Sequence, residues 1–320
     1  MLFMQQLPII SSLWNYLTAP DLPRTALSIS ESHLAIVTLR RSRGQFEPRN
    51  LGVLRLPDGL VQAGFTEPNV SDEAALREHL TKTAAQAGIN RPRSLSVALP
   101  AGSARSQIIS MEAVPESRTE LAQLIEWKIE RSFGQKSSDL RTSSRQLNNF
   151  GGRSHWLITA IHSRVLEQYE RIFKELRWTV GLIVPQHLGE AQWLIRQKST
   201  DDQIVVSLNE HGFDTVIVRG TEPILVREVE CSEQEREDEF YRLVVFYRDR
   251  LVPENEPITL NRLLTVGTAS DQRRFREVLS SALENHTVSL DPQQIGLKVD
   301  PNAPFNHFAA AGGLATMAWS

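Results

Sequence analysis

Ser28 and Ser207 occupy matching places in two short segments. Leu27-Ser28-Ile29-Ser30-Glu31 and Val206-Ser207-Leu208-Asn209-Glu210 share one order: apolar, Ser, apolar, small polar, Glu. Each is followed by a second apolar run, His33 to Leu39 and Thr215 to Val218. A hairpin repeated about 180 residues on, with helices after each copy, points to two related halves facing each other across a cleft. The polar groups aimed there would be hydroxyls and an amide, which hydrogen-bond without bringing charge. Nearby, His211-Gly212-Phe213-Asp214 reads as turn chemistry, where such residues serve local hydrogen bonding and positive φ.

Other reactive patterns have no anchor. The eight histidines form no His-x-x-x-His or His-Glu-x-x-His unit, so no metal site is indicated. The chain has no Gly-x-Ser-x-Gly elbow, Walker A loop or dinucleotide glycine fingerprint, and no catalytic residue is assigned. Cys231 is the only cysteine, which excludes an internal disulfide and fits a reducing compartment.

Of 320 residues, 41% are hydrophobic and 23% charged, enough apolar material for two cores. Thirty-five Lys and Arg against 38 Asp and Glu give a net charge of -3, so no nucleic-acid footprint is expected. No apolar run reaches the roughly 18 residues of a membrane span. The N-terminus carries no Lys or Arg before Arg24, unlike a secretory signal, and the expected address is the cytoplasm.

Several elements follow from periodicity. Residues 1–24 form an N-terminal segment in which Ile9, Ile10, Leu13, Trp14 and Leu17 recur at helical spacing. That stretch, 9–17, either packs on its own body or docks peripherally on a membrane, although the basic residues that favour anionic lipid are missing. Strands are expected at Ala26 to Ser30, His33 to Arg40, Leu51 to Leu56 and Ser94 to Leu99. A helix over Asp72 to Ala87 has Ser71 as its expected N-cap and Gly88 as its stop. Residues 106–181 read as an inserted unit: a strand at Gln107 to Met111, a helix at Arg118 to Phe133, further strands, and a helix at Arg164 to Leu176. In its first helix Leu121, Leu124, Ile125, Ile129 and Phe133 share a face, leaving Trp127, Lys128 and Arg131 elsewhere. Strands at Gln203 to Leu208, Thr215 to Arg219 and Ile224 to Val229 precede a helix from about Ser232 to Leu251 with an acidic first turn. A strand at Leu263 to Val266, a helix at Asp271 to Leu283, a short strand at Thr287 to Leu290 and an Ala-Gly-rich tail close the chain.

Taken together, these features resemble the actin-like ATPases, and within them the PilM proteins of type IV pilus assembly and the related GspL cytoplasmic domain of type II secretion. The resemblance rests on both hairpins, Trp156-Leu-Ile-Thr-Ala-Ile161, the stretch Leu176 to Trp193 with Gly181 and Val184, Thr265-Val-Gly-Thr-Ala269 and Ala311-Gly-Gly-Leu-Ala315. It implies an α/β, ribonuclease H-like, two-lobed fold with an inserted α+β subdomain. Residues 25–105 and 182–200 would form the first lobe, 106–181 the insert and 201–320 the second lobe.

In active members each hairpin reads apolar, Asp, apolar, Gly, the carboxylate organising magnesium and the glycine admitting phosphate. Here Ser28 and Ser207 stand in the Asp places, Ser30 and Asn209 in the glycine places, and only Gly267-Thr268 remains of a nucleoside-side Gly-Gly turn. These six positions mark a degenerate nucleotide cleft. No cofactor is expected, with ATP and magnesium as the candidates otherwise, because the substitutions remove the electrostatic support that hydrolysis needs. The alternative is a working ATP switch or ATPase that uses Glu31 and Glu210 instead. The resemblance further implies a scaffold that binds the cytoplasmic peptide of an inner-membrane PilN-type partner beside the insert, with homo-oligomers as a family trait. Trp127, Lys128 and Arg131 are the expected contacts.

Overall fold

The computed structural model describes residues 22–89, 92, 94–150, 152–253 and 256–319, so the segment 9–17 lies outside the described residues. The first hairpin opens a five-stranded sheet. β1 (Thr25–Ile29) pairs antiparallel with β2 (His33–Ser42), which pairs antiparallel with β3 (Gln45–Arg55). On its other side β1 runs parallel to β4 (Leu95–Leu99), and β4 to β8 (Val180–Pro185), giving the order β3-β2-β1-β4-β8. Strand β3 starts earlier than the expected Leu51 because it is an edge strand, where Pro48 is tolerated. The pairing shifts between Thr38 and Leu39 to absorb it.

The second hairpin opens a sheet of the same plan. β9 (Ser199–Asn209), β10 (Gly212–Gly220) and β11 (Glu222–Glu230) form the antiparallel part, and β12 (Arg262–Val266) and β13 (Val288–Ser289) continue it in parallel, in the order β11-β10-β9-β12-β13. Leu27, Ser28 and Ile29 are all buried, as are Val206 and Ser207, because helices cover both faces of each sheet.

Helices α1 (Glu73–Gln86) and α3 (Ser163–Leu176) cover the outer face of the first sheet through Leu76, Leu80, Tyr169, Ile172 and Phe173. Helices α5 (Arg236–Arg250) and α6 (Ala269–Leu283) do the same for the second sheet through Phe240, Tyr247, Phe275 and Leu279. Between the sheets lie α4 (Gln186–Ile195) and α7 (Phe305–Thr316), which join the lobes. The Ala-Gly-rich tail is therefore a buried helix. A side chain at Gly313 would place its Cβ 1.9 Å from the Gly189 carbonyl oxygen, so glycine is required for this helix crossing. The Trp193 indole N–H donates to the Ala309 carbonyl (2.8 Å) across the same contact.

The inserted unit is a three-stranded antiparallel sheet, β5 (Arg105–Met111), β7 (Arg153–His162) and β6 (Leu140–Phe150), with α2 (Arg118–Phe133) on one face. Ile129 and Phe133 of α2 are buried against Ile109, Met111, Ile158 and Ala160, with Leu121, Leu124 and Ile125 at the border. Because α3 packs into the first-lobe core, the stretch 106–181 divides after β7.

Two local expectations are corrected. Asp72, not Ser71, caps α1 by accepting from the Ala75 N–H (3.0 Å), since the Ser71 hydroxyl donates to Gly59 (3.0 Å). The helix expected from Ser232 begins at Arg236, because the Glu235 carboxylate folds back onto the Ser232 N–H (3.0 Å) and hydroxyl (2.7 Å).

Candidate functional site

The ends of β1, β9 and β12 meet at the mouth between the lobes, where a cavity of about 330 Å³ opens. Ser30, Ser207, Asn209 and Gly267 line it, whereas Ser28 and Thr268 do not. Ser28 is buried and its hydroxyl donates to the His307 carbonyl (3.1 Å), tying β1 to the first turn of α7. The Ser30 hydroxyl closes its own hairpin, donating to the His33 carbonyl (3.1 Å) and accepting from the His33 N–H (2.9 Å). On the facing hairpin, the Asn209 side chain accepts from the His211 N–H (2.9 Å). Thr268 is the N-cap of α6, in a capping box with Asp271. At Gly267 a Cβ would come within 3.2 Å of Leu208 and of Asp271 Oδ2, a tight packing place.

The two glutamates are set differently from one another. Glu31 accepts from the Ala63 N–H (2.5 Å) and lies 3.4 Å from His211 Nε2, a bridge across the mouth. Glu210 is exposed at the β9–β10 turn.

Beneath the mouth the structure assembles a group of side chains that sequence reading did not find. His187 of α4 is buried, its Nδ1 3.5 Å from Asp214 Oδ2 and its Nε2 3.9 Å from Glu228 Oε1. Glu190, one turn further along α4, is 3% exposed and lines the cavity beside Ser207. Burial pushes its carboxyl up to about 7, with the Ser207 hydrogen bond opposing and the Asp214 charge adding to the rise. Glu228 is likewise raised to about 7, first by burial, against the attraction of His187. Burial alone would lower His187, but the hydrogen bond and charge of Asp214, with Glu228 and Glu190 behind it, raise it overall. The turn reading of Asp214 is thus corrected: the residue is 4% exposed inside β10 and faces His187. Only an i, i+3 pair, His187 and Glu190, was visible in the sequence; their partners arrive from strands distant along the chain.

Above the cluster, Arg236 donates to the Asn209 carbonyl (2.7 Å), and the rings of His33 and His307 stack at 3.8 Å. Among the described residues, no group of three or more His, Cys, Asp or Glu is arranged to hold a metal ion.

The three residues expected to meet a partner stand on the outer side of α2. Trp127 is 52% exposed, and the Arg131 guanidinium sits 5.3 Å above its ring. Lys128 donates to the Ser110 carbonyl (3.1 Å), fastening α2 to the end of β5. On the opposite face of the same sheet runs an apolar groove of about 260 Å³, walled by Leu157 of β7, Leu182 and Val184 of β8, Leu188 and Ile195 of α4, and Met317. Trp127, Lys128 and Arg131 do not line it. The insert is also tied to the second lobe, where the Ser106 N–H donates to Glu228 (2.9 Å) and the Asn148 N–H to Glu222 (2.6 Å).

No model of a known protein family matches the sequence, and no curated protein does. Solved structures do. A chain of a "PilM-PilN type IV pilus biogenesis complex" superposes with a TM-score of 0.74 at 17% identity, covering 94% of this chain and 100% of that one. A Bacteroides thetaiotaomicron protein with an actin-like ATPase fold and unknown function gives 0.48 at 11% identity, over 89% of this chain and 93% of that one. The cytoplasmic domain of EpsL, an inner membrane component of the type II secretion system of Vibrio cholerae, gives 0.47 at 13%, over 92% and 93%. At these identities the likeness is one of fold. The chain has the two-lobed α/β architecture of the actin-like type, with an inserted subdomain. Among the described residues, no helix is long and apolar enough to cross a membrane.

Proposed function

We propose that this protein is a cytoplasmic scaffold of a type IV pilus or related secretion assembly. In this reading it holds the cytoplasmic peptide of an inner-membrane PilN-type partner in the groove beside the inserted sheet, and its interlobar cleft does not turn over ATP. The observation that carries the reading is an apolar groove next to the insert, in a chain sharing its fold with one from a PilM-PilN complex. Leu157, Leu182, Leu188, Ile195 and Met317 are only partly buried, so they offer apolar surface to an extended or helical segment. The exposed Trp127–Arg131 face lies on the other side of the sheet and supplies a separate second contact.

The cleft supports the scaffold reading from the other direction. In the places of the two magnesium carboxylates stand hydroxyls, one bonded to His307 and the other beside Glu190. In the places of the phosphate-loop glycines, Ser30 and Asn209 spend their side chains on turn hydrogen bonds. Three carboxyl groups line the same cavity against the single guanidinium of Arg236, a balance that disfavours a triphosphate. Nor does Glu31 or Glu210 stand in the place of a missing carboxylate, because each lies three residues beyond its serine, in the turn that follows β1 or β9.

The test is fluorescence anisotropy with a labelled synthetic peptide of the partner's cytoplasmic segment. Saturable binding that Leu182→Arg weakens at least tenfold supports the reading; unchanged affinity in Leu182→Arg removes the groove. Peripheral membrane attachment through residues 9–17 belongs to the same proposal. Liposome flotation of the full chain beside one lacking residues 1–23 decides it, equal flotation removing the lipid contact.

A further inference from the structure

The interlobar cavity is lined by more carboxyl groups than guanidinium or ammonium groups. Glu31 after β1, Glu190 of α4 and Glu210 of the β9–β10 turn come to it from three separate elements. Against them stands Arg236, whose Nη2 is already bonded to Asn209. Across the Glu210–His211 turn, an adjoining cavity of about 600 Å³ adds Asp214, Glu228 and Glu230. Its one guanidinium, Arg105, lies 4.7 Å over the Phe65 ring. Clefts lined by one sign of charge with low-dielectric walls concentrate the opposite ion.

One side chain singles out where such a ligand would anchor. Glu190 is 97% buried, it lines the cavity, and its Oε2 has no hydrogen-bond partner. A buried carboxyl oxygen left unpaired is costly, and a bound donor would satisfy it. The volume, about 330 Å³, suits an organic molecule rather than a bare ion. Between the carboxylates the walls are Pro100, Ala101, Leu208 and Val266, which methylene groups can cover.

We infer that the interlobar cleft binds a linear aliphatic di- or polyamine, with Glu190 receiving one ammonium group and Glu210 and Glu31 the others. The ligand would bridge the two lobes, since Glu31 follows a first-lobe strand and Glu210 a second-lobe strand. This inference rests on the cleft half of the function proposed above and is independent of the groove. Binding is coupled to protons. Glu190 is faced by His187 on its own helix, Ser207 of β9 and Asp214 of β10, and burial holds its carboxyl near 7 in the empty site. An ammonium ion favours the carboxylate, so binding at neutral pH expels a proton and weakens as the pH falls.

The experiment is calorimetric titration of the full chain with spermidine at pH 8 and pH 6, beside separate titrations with Mg-ATP and with magnesium alone. One saturable spermidine site is expected, about tenfold tighter at pH 8, with proton release at pH 7 seen as a dependence of the heat on buffer ionisation enthalpy. Glu190→Gln should weaken it at least tenfold and the exposed Glu210→Gln severalfold, while Glu167→Gln on the exposed side of α3 leaves it unchanged. Lack of saturation, or equal effects of Glu190→Gln and Glu167→Gln, overturns the inference. Magnesium binding at micromolar concentration that excludes spermidine overturns the ligand class. Mg-ATP binding without spermidine binding sinks this inference and the non-nucleotide reading together; neither ligand binding sinks this inference alone.

Discussion

Replacing Glu190 by Gln should stabilise the protein clearly at pH 8 and only slightly at pH 5. Burial moves the Glu190 carboxyl from its ordinary 4.5 to about 7, so the native state holds this proton more tightly than the unfolded chain. Its contribution is fully present below about 4.5 and is lost as the pH rises through about 7, because ionisation must then occur inside the fold. At about 1.4 kcal/mol per pKa unit the full cost is about 3 kcal/mol at pH 8, an upper bound given the coupling to His187 and Asp214. Glu228 and His187 shift in the same direction, so the natural chain should lose stability steadily between pH 5 and pH 8. Glutamine keeps the shape and can still accept from Ser207 without a charge. Urea unfolding of both proteins at pH 5 and pH 8 measures the difference, expected at about 1–3 kcal/mol in favour of the variant at pH 8 and below about 1 kcal/mol at pH 5. A variant less stable than the natural chain at pH 8, or an equal gain at both values, would refute the assignment of a buried, proton-holding carboxyl.

Other consequences follow from single contacts. Gly313→Ala sets a methyl group against the Gly189 carbonyl at the α4–α7 crossing and should cost about 3 kcal/mol or more, read as lost soluble yield or a lower denaturation midpoint. Ser28→Asp replaces a hydroxyl that donates to His307 by a carboxylate that cannot donate, in a site 2% exposed. It should destabilise by about 2 kcal/mol or more at neutral pH, checked by urea unfolding. Trp127→Ala should change stability by about 0.5 kcal/mol or less, since half of the ring is exposed, while lowering partner affinity if the outer face of α2 is a second contact.

Much of the architecture was legible because it is written locally. The matched hairpins fall on β1–β2 and β9–β10, equivalent strands of two sheets built to one plan, and the apolar stripe of α2 faces the insert's core. What stayed hidden depends on contacts between distant segments. The C-terminal Ala-Gly run carries almost no periodic signal, and its helix is explained only by the close approach of α4. His187, Glu190, Asp214 and Glu228 come from one helix and two strands, and no spacing rule links them. Ser28 was readable as a departure from a carboxylate, but its bond to His307 joins residues 279 apart. The groove opposite α2 escaped notice for the same reason: its walls belong to β7, β8, α4 and the C-terminal turn.

The most direct test of the central claim is photo-crosslinking of the partner's cytoplasmic peptide to chains carrying a photoreactive amino acid at position 182 in the groove, at position 127 on α2, or at position 241 on the exposed face of α5. Efficient crosslinks are expected from position 182 and none from position 241. Crosslinks from position 241 with none from position 182 would contradict it.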